Sequence, residues 1–196
     1  MKSFTRILIK LPILAVLFLL GSVALGKKNT WGSPHSNKTP LPNIVSEMSL
    51  VEALNIIPPK YGVPAQVVSV LIEKESGGDM AAIRFEPSQI KHAEKYSKNK
   101  DLQRMYASSH CALQIMGYNA AARGVEWYEL YKPETCVEVG MNIWAKCREN
   151  RCDKTSSSYD CIKATATCYN GSTKYAADFM RRLGEDVINQ NLDIGL

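Results

Sequence analysis

Pro64-Ala65-Gln66-Val67-Val68-Ser69-Val70-Leu71-Ile72-Glu73-Lys74-Glu75-Ser76-Gly77-Gly78 is the stretch on which the fold turns. Proline is favoured in the first turn of a helix and glycine just past its end. These residues therefore read as a helix opened by Pro64, running through Glu75 or Ser76 and closed by Gly77-Gly78. Val68, Leu71 and Ile72 precede Glu75 at helical spacing and share its face. A carboxylate on an apolar stripe loses hydration, and without a partner it keeps its proton to higher pH. A proton held that way can be donated. The plainer alternative is a Glu at a frayed helix end, reaching water past the two glycines. Glu73 looks along Gln66 and Ser69 and reads as a solvated helix charge.

Toward the N-terminus, Ser49 with Glu52 has the form of a capping box and starts a short helix that Pro58-Pro59 ends. The domain is read as 44–196. Residues 27–43 are polar, rich in Pro, Ser, Asn and Lys, and without periodicity, which marks a flexible linker. Residues 1–26 read as a secretory signal peptide. Lys2, Arg6 and Lys10 form its basic start, Leu11 to Leu20 its apolar core, and Ala24-Leu25-Gly26 a cleavage site. The apolar core is shorter than the roughly 20 residues that span a bilayer. An exported protein, periplasmic or extracellular, is the expectation, with an uncleaved anchor as the alternative.

Toward the C-terminus, Ile90 to Tyr106 is polar and reads as an exposed helix with its connecting loop. Ala112 to Ala122 reads as a helix ended by Gly124, and Cys136 to Cys147 as the central core helix. Two last helices are expected at Cys161–Tyr169 and Lys174–Leu183, after a Ser-rich loop from Thr155 to Asp160. β-alternation never persists, so at most a short hairpin fits between Met80 and Gln114. The predicted fold is mostly α, a single domain with a real hydrophobic core.

All six cysteines, Cys111, Cys136, Cys147, Cys152, Cys161 and Cys168, lie in the C-terminal half, an even number in an exported chain, which predicts up to three disulfides. On one helix Cys136 and Cys147 would stand about 16 Å apart, beyond the roughly 7 Å limit for a bridge. No C-x-x-C pair exists, and His35, His92 and His110 have no ligand spacing, so no metal is expected. No organic cofactor is implied either. The formal charge of +5 includes the three cations of the signal, and the remainder is too small and too scattered to argue for nucleic acid. Cys111 beside His110 makes a poor thiol nucleophile, because adjacent residues point in different directions.

Four segments occur in order: Glu75-Ser76-Gly77-Gly78; Ala82-Ile83-Arg84-Phe85-Glu86-Pro87; Ser109-His110-Cys111-Ala112-Leu113-Gln114-Ile115-Met116-Gly117; and Tyr169-Asn170-Gly171 with Tyr175 beyond. In that order and spacing they resemble the soluble lytic transglycosylases (SLT), whose pattern is E-S, then S-x-G-L-M-Q-x-M, then A-Y-N-x-G with a later Tyr. The second segment looks like the phage and mobile-element branch. The resemblance covers about residues 60 to 183. It implies a lysozyme-like fold, of the goose-type lysozyme and SLT kind, braced here by disulfides. It also implies an enzyme, a lyase acting on peptidoglycan glycan strands at the MurNAc-β-1,4-GlcNAc bond, with Glu75 as the single catalytic acid and base.

By the same resemblance Ser109 and Gln114 stand beside the acid, Tyr169 holds the Glu75 proton, Asn170 braces its turn and Tyr175 lines the cleft. Glu86 is the rival second carboxylate, which would make the protein a lysozyme-type hydrolase (muramidase). Its plainer role is an ion pair with Arg84 across an extended segment. The chain departs from the family pattern where a glycine is replaced by Cys111 and an alanine by Cys168. Because those motifs pack together in that fold, Cys111–Cys168 is the expected pairing, with Cys136 and Cys147 divided between Cys152 and Cys161. A non-catalytic wall-binding or assembly factor is the non-enzymatic alternative. The expected partners are glycan strands and a secretion, conjugation or phage lysis apparatus, with the protein itself a monomer.

Overall fold

The computed structural model describes residues 46–152 and 157–184. The predicted signal peptide and linker lie outside the described residues. Helix accounts for 66% of what is described, which makes the fold mostly α. No helix among the described residues is long and apolar enough to cross a membrane.

Helix α1, Leu50–Ile56, starts at the expected capping box: the Ser49 hydroxyl accepts from Glu52 N at 3.2 Å, and the Glu52 carboxylate accepts from Ser49 N at 2.8 Å. Pro58–Tyr61 forms a single 3-10 turn. Helix α2, Ala65–Glu75, follows Pro64 and ends where the glycines require, with Gly77 and Gly78 both at positive φ. Its buried residues are Val67, Val68, Leu71 and Ile72, so Glu75 does continue the apolar face.

Three short strands follow, β1 at Ile83–Phe85, β2 at Ser108–His110 and β3 at Ile115–Met116, paired antiparallel in the order β1-β2-β3. The expected hairpin thus carries a third strand. The polar segment between β1 and β2 is two helices, α3 at Ile90–Ala93 and α4 at Lys100–Tyr106. Asn99 divides them, its side chain accepting from Asp101 N and Leu102 N at 2.8 and 3.2 Å.

The helix expected over Ala112–Ala122 is corrected. Cys111 and Gln114 adopt left-handed φ values of 61° and 47°, which break a right-handed helix, so a tight turn leads into β3 and only Gly117–Ala121 is helical, as α5. Gly117 opens α5 because nothing larger fits: an added Cβ would stand 2.7 Å from Met105 O and 2.8 Å from Tyr106 Cα, both backbone atoms. Gly117→Ala is expected to cost about 2–3 kcal/mol of stability through overpacking. Denaturant unfolding reads this directly, and an unchanged midpoint would contradict the packing.

Helix α6, Pro133–Arg151, is the expected core helix and buries Val137, Val139, Met141 and Trp144. Helices α7, Ser158–Asn170, and α8, Thr173–Leu183, complete the domain. α7 begins ahead of Cys161 because Ser157 caps it, accepting from Asp160 N at 3.1 Å. The main core joins Leu71 and Val68 of α2, Leu113 of the turn before β3, Val137 and Met141 of α6, and Phe179 of α8. A smaller cluster of Ala93, Tyr106, Ala107 and Trp127 lies under α3 and α4. His110, fully buried, bridges toward it, 3.0 Å from Tyr131 Oη and 2.8 Å from Met105 O, and desolvation holds its pKa below the usual value.

All six cysteines are paired, as Cys111–Cys136, Cys147–Cys168 and Cys152–Cys161. The expected Cys111–Cys168 bridge is therefore incorrect, and so is the division of Cys136 and Cys147 between Cys152 and Cys161, which bond each other. α6 presents Cys136 to Cys111 and, about three turns on, presents Cys147 to Cys168. Cys111 and Cys168 thus each bond to α6 rather than to each other. Cys136 and Cys147 stay unpaired with one another, as the rise of a helix demands. With its sulfur in a disulfide, Cys111 is no nucleophile. Three disulfides fit an oxidising, extracytoplasmic compartment.

Candidate active site

Glu75 stands at the end of α2, where Ser76 turns the chain away by donating to Ala112 O at 2.9 Å while accepting from Gly78 N at 3.1 Å. This ties the helix end to the Cys111–Gln114 turn. Around it opens a cleft of about 340 Å³ whose lining includes Glu75, Arg84, Glu86, Ser109, Gln114, Tyr169 and Asn170. Residues more than ninety positions apart thus line one cleft.

The Glu75 carboxyl is raised above its ordinary value because burial penalises the anion. A hydrogen bond from Tyr175 and the charges of Arg84 and Lys74 act against the rise without cancelling it. Tyr175 Oη donates to Glu75 Oε1 at 2.6 Å. Burial and the neighbouring carboxylate drive the Tyr175 phenol far upward, so it remains a donor.

Behind this pair, the Lys74 ammonium lies 4.6 Å from the centre of the Tyr175 ring and bonds Asp178. Asp178 also accepts from Arg181 and Arg182, and Arg182 reaches Glu73 at 2.9 Å. The charged faces of α2 and α8 are thereby laced together, and Tyr175 is held against Glu75. Glu73 is exposed, as its position on α2 predicts.

Tyr169 does not hold the Glu75 proton, contrary to expectation. Its phenol donates to Leu113 O at 3.0 Å, so it props the turn that carries Gln114, and Tyr175 one helix later makes the contact instead. Among the described residues the Asn170 side chain makes no hydrogen bond that would brace its turn. Gly171 makes that turn in the left-handed region, while Asn170, exposed, lines the cleft. Ser109 is buried and its hydroxyl donates to Gln114 Oε1 at 2.8 Å, while Gln114 Nε2 donates to Cys111 O at 3.1 Å. Ser109 therefore orients Gln114, and one amide hydrogen of Gln114 is left for a ligand. Glu86 does line the cleft, but its carboxylate takes the Arg84 guanidinium at 2.6 Å, the structural role read from their spacing.

Sequence reasoning missed Gln89, Met116, Tyr118 and Asn119, which form another part of the lining. Tyr118 Oη donates to Gln89 Oε1 at 3.2 Å, joining segments that flank the polar helices. The available signal was the Tyr-Asn pair directly after Gly117, hidden because that stretch reads as continuous helix.

Tyr175→Phe removes a hydrogen bond that favours the carboxylate, so the Glu75 carboxyl should titrate at higher pH still. Carboxyl-carbon NMR across a pH series measures this, and an unmoved titration would reduce Tyr175 to packing.

No family model matches this chain, and no curated protein and no solved structure matches it either.

Proposed function

We propose that this protein is an exported peptidoglycan lytic transglycosylase that cleaves the MurNAc-β-1,4-GlcNAc bond. What carries the reading is the Glu75 environment: a carboxyl raised by burial, fixed by Tyr175, at the wall of a cleft that also gathers Ser109, Gln114, Tyr169 and Asn170. Glu75 protonates the bridging oxygen, and the anomeric carbon–oxygen bond breaks through an oxocarbenium-like state. The 6-hydroxyl of the same muramic acid then attacks the anomeric carbon and gives its proton to the Glu75 carboxylate. The product end is 1,6-anhydro-MurNAc, no water is consumed, and Glu75 leaves the cycle protonated as it entered. One group serves both steps, so no second carboxylate is needed. The four ordered motifs support the same assignment, and the chemistry serves a secretion, conjugation or phage lysis apparatus or ordinary wall turnover alike.

The hydrolase reading keeps one supporting observation, the presence of Glu86 in the same cleft. Its pairing with Arg84 weighs against a free base. Mass spectrometry of the soluble products after incubation with sacculi tests both. Anhydro-muropeptides are expected. Reducing muropeptides would transfer the assignment to a Glu75 and Glu86 hydrolase, and no release from folded protein would transfer it to a wall-binding factor.

A further inference from the structure

A second depression, of about 400 Å³, lies beside the cleft and is lined by Lys91, His92, Glu94, Lys95 and Lys98. The two meet through one contact: His92, in the lining of the depression, stacks on Tyr118, with ring centroids 5.5 Å apart, and Tyr118 lines the cleft and bonds Gln89 just ahead of α3. Three ammonium groups face a single carboxylate there, and Lys91, Lys95 and Lys98 form no ion pair among the described residues. In the cleft, by contrast, Arg84 is taken by Glu86 and the other charged group is the carboxyl of Glu75. The cleft thus suits the neutral sugars of a glycan strand and offers no unpaired cation to an anion. The exposed cations line the depression that the His92–Tyr118 stack joins to the cleft.

We propose that this depression is a subsite for the carboxylates of the peptide stem carried by muramic acid. The inference rests on the proposed substrate class. A glycan strand laid in the cleft has few other negative groups to offer, and its stems project sideways from alternate sugars on the lactyl ether. Lys91, Lys95 and Lys98 hold a stem at its carboxylates and so fix which sugar stands at Glu75.

The test compares the exported, oxidised protein with its Lys91→Gln/Lys95→Gln/Lys98→Gln variant, both carrying Glu75→Gln so that bound glycan is not consumed. Binding is measured to sacculi freed of phosphate polymers and to the same glycan after an amidase has removed the stems. The triple variant should bind stem-bearing glycan about eightfold more weakly, roughly twofold for each exposed charge contact, and bind stripped glycan as its parent does. Equal affinity for stem-bearing glycan, equal loss on both glycans, or parental binding that vanishes with the phosphate polymers would overturn the subsite. Turnover of the Glu75-containing protein on both glycans is followed separately. Its failure would sink the enzymatic reading, while the split in binding would still decide the subsite.

Discussion

Glu75→Gln is expected to lower release of anhydro-muropeptides from sacculi by about 10³–10⁴-fold, the upper range for losing a general acid, because in the proposed reaction the same group is also the base. Binding of glycan should persist, since Gln keeps the shape and its carbonyl still accepts from Tyr175. The variant should also be more stable than its parent at neutral pH. Burial raises the Glu75 carboxyl, so the folded protein binds a proton that the unfolded chain has already released. That contribution is complete below the unfolded pKa and is lost as pH rises through the folded one. Gln carries no such loss, so the gain in melting temperature should be largest at neutral pH and fade toward acid. A variant that keeps its activity would refute Glu75 as the acid. A variant destabilised at pH 7 would refute the upward shift that burial gives the Glu75 carboxyl.

Removal of the Cys111–Cys136 bridge should carry the largest stability cost. The bridge closes a separation of 25 residues, for which the chain-entropy model gives about 3.5 kcal/mol. It also anchors the turn whose carbonyl at Cys111 orients Gln114. The replacement chosen for Cys111 should matter in a particular direction. At φ 61° a residue with a Cβ is strained, and the disulfide holds Cys111 there. With Cys136→Ala in both, Cys111→Gly should therefore be about 1 kcal/mol more stable than Cys111→Ala. Denaturant unfolding of the two double variants measures the difference, and equal midpoints would show that the turn relaxes once the bridge is gone. The more stable variant should also keep more glycan cleavage, because its turn holds Gln114 in place.

Arg84 and Glu86 illustrate how a local pattern can limit function. Their separation on an extended segment is enough to pair them, and β1 supplies that extension. The pair engages the Glu86 carboxylate, which is the observation that weighs against Glu86 as a free base in the proposed reaction. It also keeps a guanidinium near Glu75, where its charge moderates the rise caused by burial.

By itself the sequence determined the elements whose signals are local: the capping box of α1, the proline and glycines bounding α2, the apolar run of α6, and Glu75 on a buried face. It also marked the members of the cleft, because Ser109, Gln114, Tyr169 and Asn170 occur in recognisable short motifs. Tertiary structure alone decided how they meet. Tyr175 rather than Tyr169 reaches Glu75, because α8 packs on α2 while Tyr169 is spent on the Leu113 carbonyl. Cys111 and Cys168 each bond α6, because disulfide partners follow the faces that packing turns together and no spacing along the chain encodes those faces. The break in the expected helix after Ala112 has the same origin. Left-handed φ at Cys111 and Gln114 is paid for by a disulfide and by hydrogen bonds to distant residues, so residue propensities there point toward helix while long-range contacts impose a turn.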